Sequence, residues 1–563
     1  MAAWSLIAII ALAPFGAPAA ANDRPSGEAW DVVVYGGTSA GVTAAIQAAR
    51  MRRRVVLVEP GKHLGGMTAS GLGATDYGKK SAIGGLAREF YQRVKRYYDG
   101  PTAWRYERAD AYTSHGHDPA EAEMYYFEPH VAEALFNQMV AEAGVTVVLG
   151  EGLDLRSGVQ KIGSQIDAIR MESGRTFRGR MFIDCSYEGD MVAGAKVDYT
   201  LGREGSTTYQ ETLAGVQTKR LPYSGHNFFR PVDPYINPGD ATSGLLFGVS
   251  SDGPGVEGAA DHRVQAYCYR ICMTDVPENR VAFSEPEGYD PAHYELMLRY
   301  LTATGTFPDL PKPKPVEHPA LGYRPRIKIM PNQKTDTNSK GAISSNLVGG
   351  NYQYPETDHA VRRCIALEHE RWHRGMLWFL STDARVPSEY REALRPWGLA
   401  KDEFTDNNHW PWQLYVREAR RMIGAYVMVE QNCSGARAAD DSVGLGSYHM
   451  DSHVTQRYVD STGAVRNEGT IGGKVPQPYP ISYRALLPKS EQCSNLLVPV
   501  CLSASHVAYG SIRMEPVYMI LGQSAATAAC LALDGSVPLH DMKYPQLRER
   551  LLADGQILDD PRK

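Results

Sequence analysis

Asp31-Val32-Val33-Val34-Tyr35-Gly36-Gly37-Thr38-Ser39-Ala40-Gly41 decides the fold, together with the Val55-Val56-Leu57-Val58-Glu59 that follows an alanine-rich interval. A β-branched run such as Asp31 to Tyr35 is what a buried parallel strand requires. Gly36 allows a sharp turn out of it. Val42 to Arg54 then reads as a helix, with Ile46 and Ala49 on one face. Val55 to Val58 is a second buried strand, and Glu59 ends it. This order of strand, glycine turn, helix, strand and acid suits a dinucleotide. The turn through Gly36, Thr38, Ser39 and Ala40 brings backbone N–H groups to a pyrophosphate, where the helix dipole favours negative charge. Gly41 lets the helix pack closely on the strand. Glu59 can accept both hydroxyls of an adenosine ribose. One position departs from the Gly-x-Gly-x-x-Gly pattern: Thr38 replaces the middle glycine. Its Cβ crowds the pyrophosphate, although its hydroxyl could donate to it. An ordinary βαβ unit with a glycine-rich turn is the plain alternative.

Two later regions bear on which dinucleotide. Pro60-Gly61-Lys62-His63-Leu64-Gly65-Gly66-Met67-Thr68 follows Glu59 at once. The Gly65-Gly66-Met67 segment suits a loop running beside an extended dinucleotide, and NAD enzymes lack that continuation. Val145 to Leu149, with Val148, reads as a strand. After a glycine-punctuated hairpin region, Arg180 to Ser186 reads as another and ends in Glu188-Gly189-Asp190. Near the C-terminus, Asn495 to Val500 reads as a strand, Leu502 to Ile512 as a loop, and Val517 to Ala529 as a helix introduced by Arg513-Met514-Glu515-Pro516. Pro516 suits a first helical turn. The small face of Gly522, Ala525, Ala526 and Ala529 allows close approach to a sheet or cofactor, with Gln523 beside it. The helix N-terminus could stabilise charge on a reduced flavin; a plain packing helix is the alternative.

Taken together, Gly36 to Gly41, Leu64 to Met67, Asp184-Cys185-Ser186 with Gly189-Asp190, Tyr415 to Gly424, and Ser503-Ala504-Ser505-His506 through Gly522-Gln523 resemble the bacterial FAD-dependent oxidoreductase family. These are glutathione-reductase-type flavoproteins, some of whose members are labelled xanthan lyase. The resemblance implies an α/β fold: a Rossmann-type, glutathione-reductase-like FAD-binding domain with an inserted α+β substrate domain. It implies FAD and redox chemistry but no particular substrate. The cofactor contacts expected are Gly36, Thr38, Ser39, Ala40, Gly41, Glu59, Gly65, Gly66, Met67, Val148, Asp184, Gly189, Glu515, Gly522 and Gln523.

The net charge of −5, without a long basic or acidic run, argues against nucleic acid and against a polybasic membrane patch. The expected partners are a small-molecule substrate and an electron acceptor whose identity (oxygen, quinone or cytochrome) is open. Leu6 to Phe15 is apolar, and Ala17-Pro18-Ala19-Ala20-Ala21 follows. This reads as a signal peptide over residues 1–21, giving an exported, periplasmic or secreted protein with no stable membrane insertion afterwards. The missing Lys or Arg before Leu6 fits that reading badly. The eight cysteines are too sparse for a disulfide scaffold and lack zinc-ligand spacing, so no metal is expected. One or two disulfides are open, and Cys268 and Cys272 share a face if their stretch is helical. The expected organisation is a FAD-binding part at 25–205, a substrate domain at 206–440, a second FAD-binding part at 441–540 and a tail at 541–563.

The middle region has no second dinucleotide fingerprint. Five of the eight tryptophans, at 372, 378, 397, 410 and 412, fall close together, and Asn407-Asn408-His409-Trp410-Pro411-Trp412 is densest. Indoles with amides can make a sugar platform, but aromatic core packing is the favoured reading. Arg417, Arg420 and Arg421 could bind an anionic substrate or form structural ion pairs. Oxidising an alcohol needs a base for the hydroxyl proton, and histidine suits that task. His506 is the expected base, because it enters the segment aligned with the flavin, and Arg513 is expected to steady an alkoxide, a carboxylate or the flavin. His449, His453 and His409 are the runners-up. His63 raises covalent flavin attachment, which is disfavoured. The expected function is oxidation of a hydroxylated small molecule, such as a sugar or polyol, by hydride transfer to flavin N5. A lyase or hydrolase carrying a flavin, or a non-catalytic flavin- or sugar-binding protein, are the alternatives.

Overall fold

The aliphatic residues at 32–34 and 55–58 have no polar atoms to satisfy beyond the backbone, so parallel pairing at the centre of a sheet serves them well. The computed structural model describes residues 29–219, 226–305, 318–321 and 329–560. The leader expected at residues 1–21 lies outside these. The quoted stretch forms β1 (Trp30–Tyr35), α1 (Ser39–Arg50) and β2 (Val55–Glu59). The helix starts and stops earlier than the sequence suggests, because Arg52 turns through the left-handed region (φ 61°) and sends the chain back to β2.

The chain continues through α2 (Gly66–Ala69), α3 (Gly85–Tyr98), α4 (Pro129–Ala143) and β3 (Thr146–Leu149). A hairpin of β4 (Val159–Ile162) and β5 (Gln165–Arg170) leads into β6 (Thr176–Asp184), and α5 (Asp190–Gly194) follows. The strands order as β3-β2-β1-β6, all parallel, with β5 and β4 added antiparallel beside the first half of β6.

An excursion leaves at β7 (Tyr199–Thr200). It holds β8 (Met273–Thr274), β9 (Arg280–Val281), α6 (Glu295–Thr302), the 24-residue α7 (His359–Thr382), α8 (Ser388–Leu394) and β10 (Gly398–Ala400). It returns at β11 (Arg421–Met422), which pairs antiparallel with β7. Then come α9 (Glu430–Ser434), β12 (Ser442–Gly446), β13 (Met450–Asp451), β14 (Gln456–Val459), β15 (Val465–Glu468), β16 (Gly472–Gly473) and β17 (Tyr479–Ser482). The β12–β17 pair lies on the C-terminal helices, whereas the β14–β15 hairpin reaches the excursion, where Arg203 meets Glu468 at 2.7 Å.

The last segment closes the sheet. β18 (Leu496–Leu497) pairs parallel with the second half of β6 and is shorter than the expected strand 495–500. The expected loop 502–512 instead contains a helix, α10 (His506–Ile512), because the Ser505 hydroxyl caps it by accepting from Ala508 N. α11 (Glu515–Gly535) is apolar and long enough for a bilayer, but 94 % of its apolar window is buried, as in a core helix. The supposed tail carries α12 (Tyr544–Ala553), which packs on α11 with Leu547 and Leu551 fully buried. The 268–272 stretch is not helical: Cys268 bridges to Tyr415, and Met273 starts β8. All eight cysteines are free thiols, so no disulfide forms.

α11 lies directly on α1. Any Cβ at Gly522 would sit 2.2 Å from the Ala40 carbonyl oxygen. Gly522→Ala should therefore push the two helices apart. A loss of about 1–3 kcal/mol in unfolding free energy is expected from such overpacking, read from the denaturant midpoint, with weaker FAD retention. An unchanged midpoint would show that the helices part freely.

Candidate functional site

The residues that could hold a dinucleotide meet at the carboxyl ends of β1 and β2. Gly36 takes φ +93°, as the sharp turn demands, and stands against the backbone of Ser186. The Glu59 carboxylate accepts from Gly37 N at 2.5 Å and Gly61 N at 2.6 Å. Burial pushes it up to about 7 despite those two donors. Gly65 N donates to the Gly37 carbonyl at 2.7 Å, and Thr38 bridges to Gly65, so the paired-glycine loop does run beside the first turn. Val148 lies in β3, opposite Val58. A ribose acid, a helix N-terminus and a glycine loop thus share one edge, which fits the adenosine and pyrophosphate half of FAD.

Several expected contacts have other employment. The Thr38 hydroxyl donates to the Cys185 carbonyl at 2.8 Å and caps α1 at Gly41 N, so its proton is not free for a pyrophosphate. Ser39 Oγ donates to Glu515 at 2.6 Å. Glu515 also accepts from Thr68 Oγ1 at 2.7 Å and from the Tyr187 hydroxyl at 2.8 Å. Met67 N donates to the Tyr187 hydroxyl at 2.9 Å. Asp184 ties the turn after β6, accepting from Ser186 and from Met191 N, while Gly189 precedes α5 in the left-handed region. Gly522 is a contact between helices. Gln523 Oε1 accepts from Leu86 N at 2.7 Å, at the start of α3, and from Gln556. Gly522 and Gln523 are therefore explained by helix packing.

His506 is the first residue of α10 and is almost fully buried. Its Nδ1 lies 2.8 Å from Glu418 Oε2, and its Nε2 is buried without a hydrogen-bond partner. Burial alone would raise the Glu418 carboxyl, but His506 and Arg421 draw it down to about 2. Gln265 Nε2 also donates to it at 2.8 Å. When the ring is neutral, an ionised Glu418 holds its proton on Nδ1 and leaves Nε2 as the acceptor. Glu418 was not singled out from sequence for this role. Arg513 ends α10, seven residues on, about 10 Å along a helix axis. It pairs with Asp451 at 3.0 Å and donates to the Tyr415 hydroxyl at 3.0 Å, not to Glu515. Tyr415 and Asp451 were likewise missed.

The runners-up have their own settings. His449 is half exposed, 3.7 Å from Asp451, and His409 Nδ1 lies 3.1 Å from the Glu403 carbonyl. His453 is buried, near Ser339 and Asp451. His63 is stacked on Trp412 at 3.8 Å, and its two ring nitrogens face Glu133 at 2.8 Å and Asp406 at 3.1 Å, which leaves neither free for a flavin bond. Trp372, Trp397 and Trp410 are buried in the core, and Trp412 also meets Phe404 edge-on. Three of the five clustered tryptophans thus pack in the core. Arg420 pairs with Asp190, and Arg421 with Glu204 and Glu418. Glu128, His130 and Glu403 have the spacing of cation ligands, but the buried Lys334 ammonium lies on Glu128 at 2.7 Å, Glu403 at 2.6 Å and Asp402 at 2.8 Å, supplying that charge.

Comparison with known proteins bears on identity. The family model described as FAD dependent oxidoreductase matches residues 31–551. A search of the curated proteins finds no match. Among solved structures, an L-amino acid deaminase from Proteus vulgaris aligns at 16 % identity and TM-score 0.24, over 32 % of this chain and 54 % of that one. An anhydrotetracycline hydroxylase from Streptomyces rimosus aligns at 14 % and 0.22, over 37 % and 38 %. An L-proline dehydrogenase from P. horikoshii aligns at 14 % and 0.22, over 32 % and 59 %. The matched segments thus cover less than two thirds of each of those chains, and scores this low carry no argument. The family match spans nearly the whole chain and agrees with the parallel sheet, the Gly36 turn and Glu59: the chain belongs to the FAD dependent oxidoreductase family, and FAD is its cofactor.

Proposed function

We propose that this oxidoreductase acts on a hydroxylated small molecule, with His506 as the base. The observation that carries the reading is the buried His506–Glu418 pair, with an unpartnered Nε2. Bound FAD supplies the two-electron acceptor for the hydrogen leaving carbon. The chain's part is to receive the hydroxyl proton at His506 Nε2 while Glu418 stabilises the imidazolium that forms. Arg421 and Gln265 hold Glu418 in turn. Arg513, at the far end of α10, is assigned to positioning Tyr415 and Asp451 rather than to the reacting oxygen. A sugar or polyol remains within this substrate class. Export is part of the proposal, resting on the Leu6 to Ala21 segment.

Anaerobic bleaching of the flavin across a panel of hydroxylated compounds is the first test. A redox enzyme must bleach with its substrate, whereas a lyase keeping flavin as scaffold, or a binding protein, does not. His506→Ala should slow reduction about 10²–10⁴-fold while FAD stays bound. The wild-type rate should rise with pH through one apparent pKa, and that rise should vanish in the variant. Reduction at the wild-type rate with the same pH profile would make His506 structural. Glu418→Gln should lower the rate and alter the same profile.

Glu59 generates a separate expectation. Its carboxyl is raised to about 7 in the protein without ligand, and ribose hydroxyls donate only to the charged form with full strength. FAD affinity should therefore rise with pH up to about 7 and then level off. Glu59→Ala should weaken binding by about 1.5–3 kcal/mol and flatten that slope, as measured by flavin fluorescence titration of the apoprotein. Equal affinities in a folded variant would mean that the ribose is held elsewhere.

A further inference from the structure

Arg417 is buried, with 1 % of its surface exposed, yet it makes no ion pair among the described residues. Its guanidinium donates to neutral groups: the Ala266 carbonyl, Asn346 Oδ1 at 3.1 Å, Ser339 Oγ at 3.1 Å and Cys268 Sγ at 3.1 Å. Its Nε has no partner at all. The buried arginines at 203, 270, 362, 421 and 513 behave differently, since each meets a carboxylate. Burying a guanidinium without counter-charge is unfavourable unless something compensates it, and buried orphan donors call for an explanation.

The surroundings add one ammonium, Lys340, and two histidines that burial holds neutral. His453 Nδ1 lies 3.2 Å from the same Ser339 hydroxyl that Arg417 contacts. The His226 ring lies 5.4 Å from that of His453, and its Nδ1 is also buried without a partner. Lys340 follows Ser339 in the chain, makes no ion pair among the described residues and acts electrostatically on His226. Burial, then Arg417 and His226, hold His453 neutral. Asp451 lies 3.7 Å from His453 Nε2, but its carboxylate is already taken by Arg513. Arg417 Nε and His226 Nδ1 are buried without partners, and with the Lys340 ammonium they offer N–H groups of the kind a small anion accepts from. Arg417 also adjoins Glu418, which holds the expected base.

We infer that Arg417, Lys340, His226 and His453, gathered around Ser339, form an anion subsite, and that the compound oxidised at His506 is a hydroxy acid whose carboxylate this subsite holds. The inference rests on the reading of His506 as base for its second half only. The subsite itself stands on Arg417 and Lys340, which make no ion pair among the described residues, and on the unpartnered Arg417 Nε and His226 Nδ1.

The test pairs acids with neutral counterparts on the FAD-loaded protein: gluconate and glucuronate against glucitol and glucose. Binding is read first, by calorimetry and by perturbation of the flavin spectrum, and reduction second, under anaerobic conditions. The acids should bind about tenfold or more tightly than the neutral compounds, the worth of one charge-assisted hydrogen bond. Lys340→Met, at a half-exposed position that tolerates replacement, should remove about that tenfold preference. Arg417→Met should remove more, provided that it keeps its flavin spectrum. Equal binding of acids and neutral compounds, unchanged in Lys340→Met, would overturn the subsite. Preferential bleaching by a neutral polyol would overturn it too, while leaving the oxidation reading intact. Acids that bind in a Lys340-dependent way without bleaching the flavin would uphold the subsite and overturn the oxidation reading. Inorganic phosphate binding with the same Lys340 dependence, where the carboxylates do not bind, would overturn the carboxylate assignment.

Discussion

The Glu515 carboxylate is the constraint on which the site depends. It is buried and accepts three hydroxyl protons, from Ser39 in α1, Thr68 in α2 and Tyr187 in the turn after β6. Each donor comes from a different part of the first 190 residues, while Glu515 opens α11 near the other end of the chain. Three hydroxyl donors offset the desolvation that raises its pKa. The bonds also fix where α11 starts. The close approach at Gly522 then fixes how it lies on α1. α10 ends at Ile512, and only its C-cap Arg513 separates it from Met514, the N-cap of α11, so the position of His506 follows from that docking.

Around α10, buried ion pairs add to the apolar packing of Val507, Ala508 and Ile512. Arg421 bridges Glu418 and Glu204, and Glu204 accepts from His506 N at 2.9 Å. The histidine is thus held at its backbone and at Nδ1 by carboxylates that share one arginine. At the other end of α10, Arg513 joins Tyr415 and Asp451. The 415–421 segment passes both ends, meeting Arg513 through Tyr415 and His506 through Glu418. Moving one buried charge in such a network disturbs its neighbours strongly, since low local polarity magnifies each interaction.

What could be read from sequence was local. Gly36 to Gly41 and Glu59 lie within one βαβ unit, so spacing alone carried their meaning, and the family match agrees with it. Thr38 could be flagged as unusual, but its hydroxyl partner, the Cys185 carbonyl, is 147 residues away. His506 and Glu418 are 88 residues apart, and no periodicity connects them. The tryptophan cluster illustrates a different limit. Composition registers indoles but not their direction, and here Trp372, Trp397 and Trp410 face the core. The α10 helix was missed although its signal was present: Ser505 before His506 is a capping residue, obscured by the small residues around it. The tail was misjudged because Leu547 and Leu551 are few, whereas the surface they cover on α11 is invisible from sequence.

Charge placement also bears on how selectivity could arise in a family whose members share a cofactor half. The dinucleotide edge combines a local turn with partners far along the chain, since Thr38 donates to the Cys185 carbonyl and Ser39 to Glu515. The excursion between β7 and β11 is held differently. Its attachment to the first domain runs through Lys334 on Glu128, Arg362 on Asp190 and Arg420 on Asp190, all buried. Ion pairs of this kind are geometrically demanding, because breaking one partner leaves the other charged and dry. They fix the orientation of the excursion while leaving its loops free of that duty. The Ser339–Asn346 loop lies between two arginines that meet no carboxylate among the described residues, Arg417 at Ser339 and Asn346, and Arg457 at the Ala342 carbonyl. On the proposed reading, proton transfer and substrate charge fall to adjacent residues, Glu418 and Arg417, whose side chains meet different neighbours: His506 and Arg421 for one, Ser339 and Asn346 for the other.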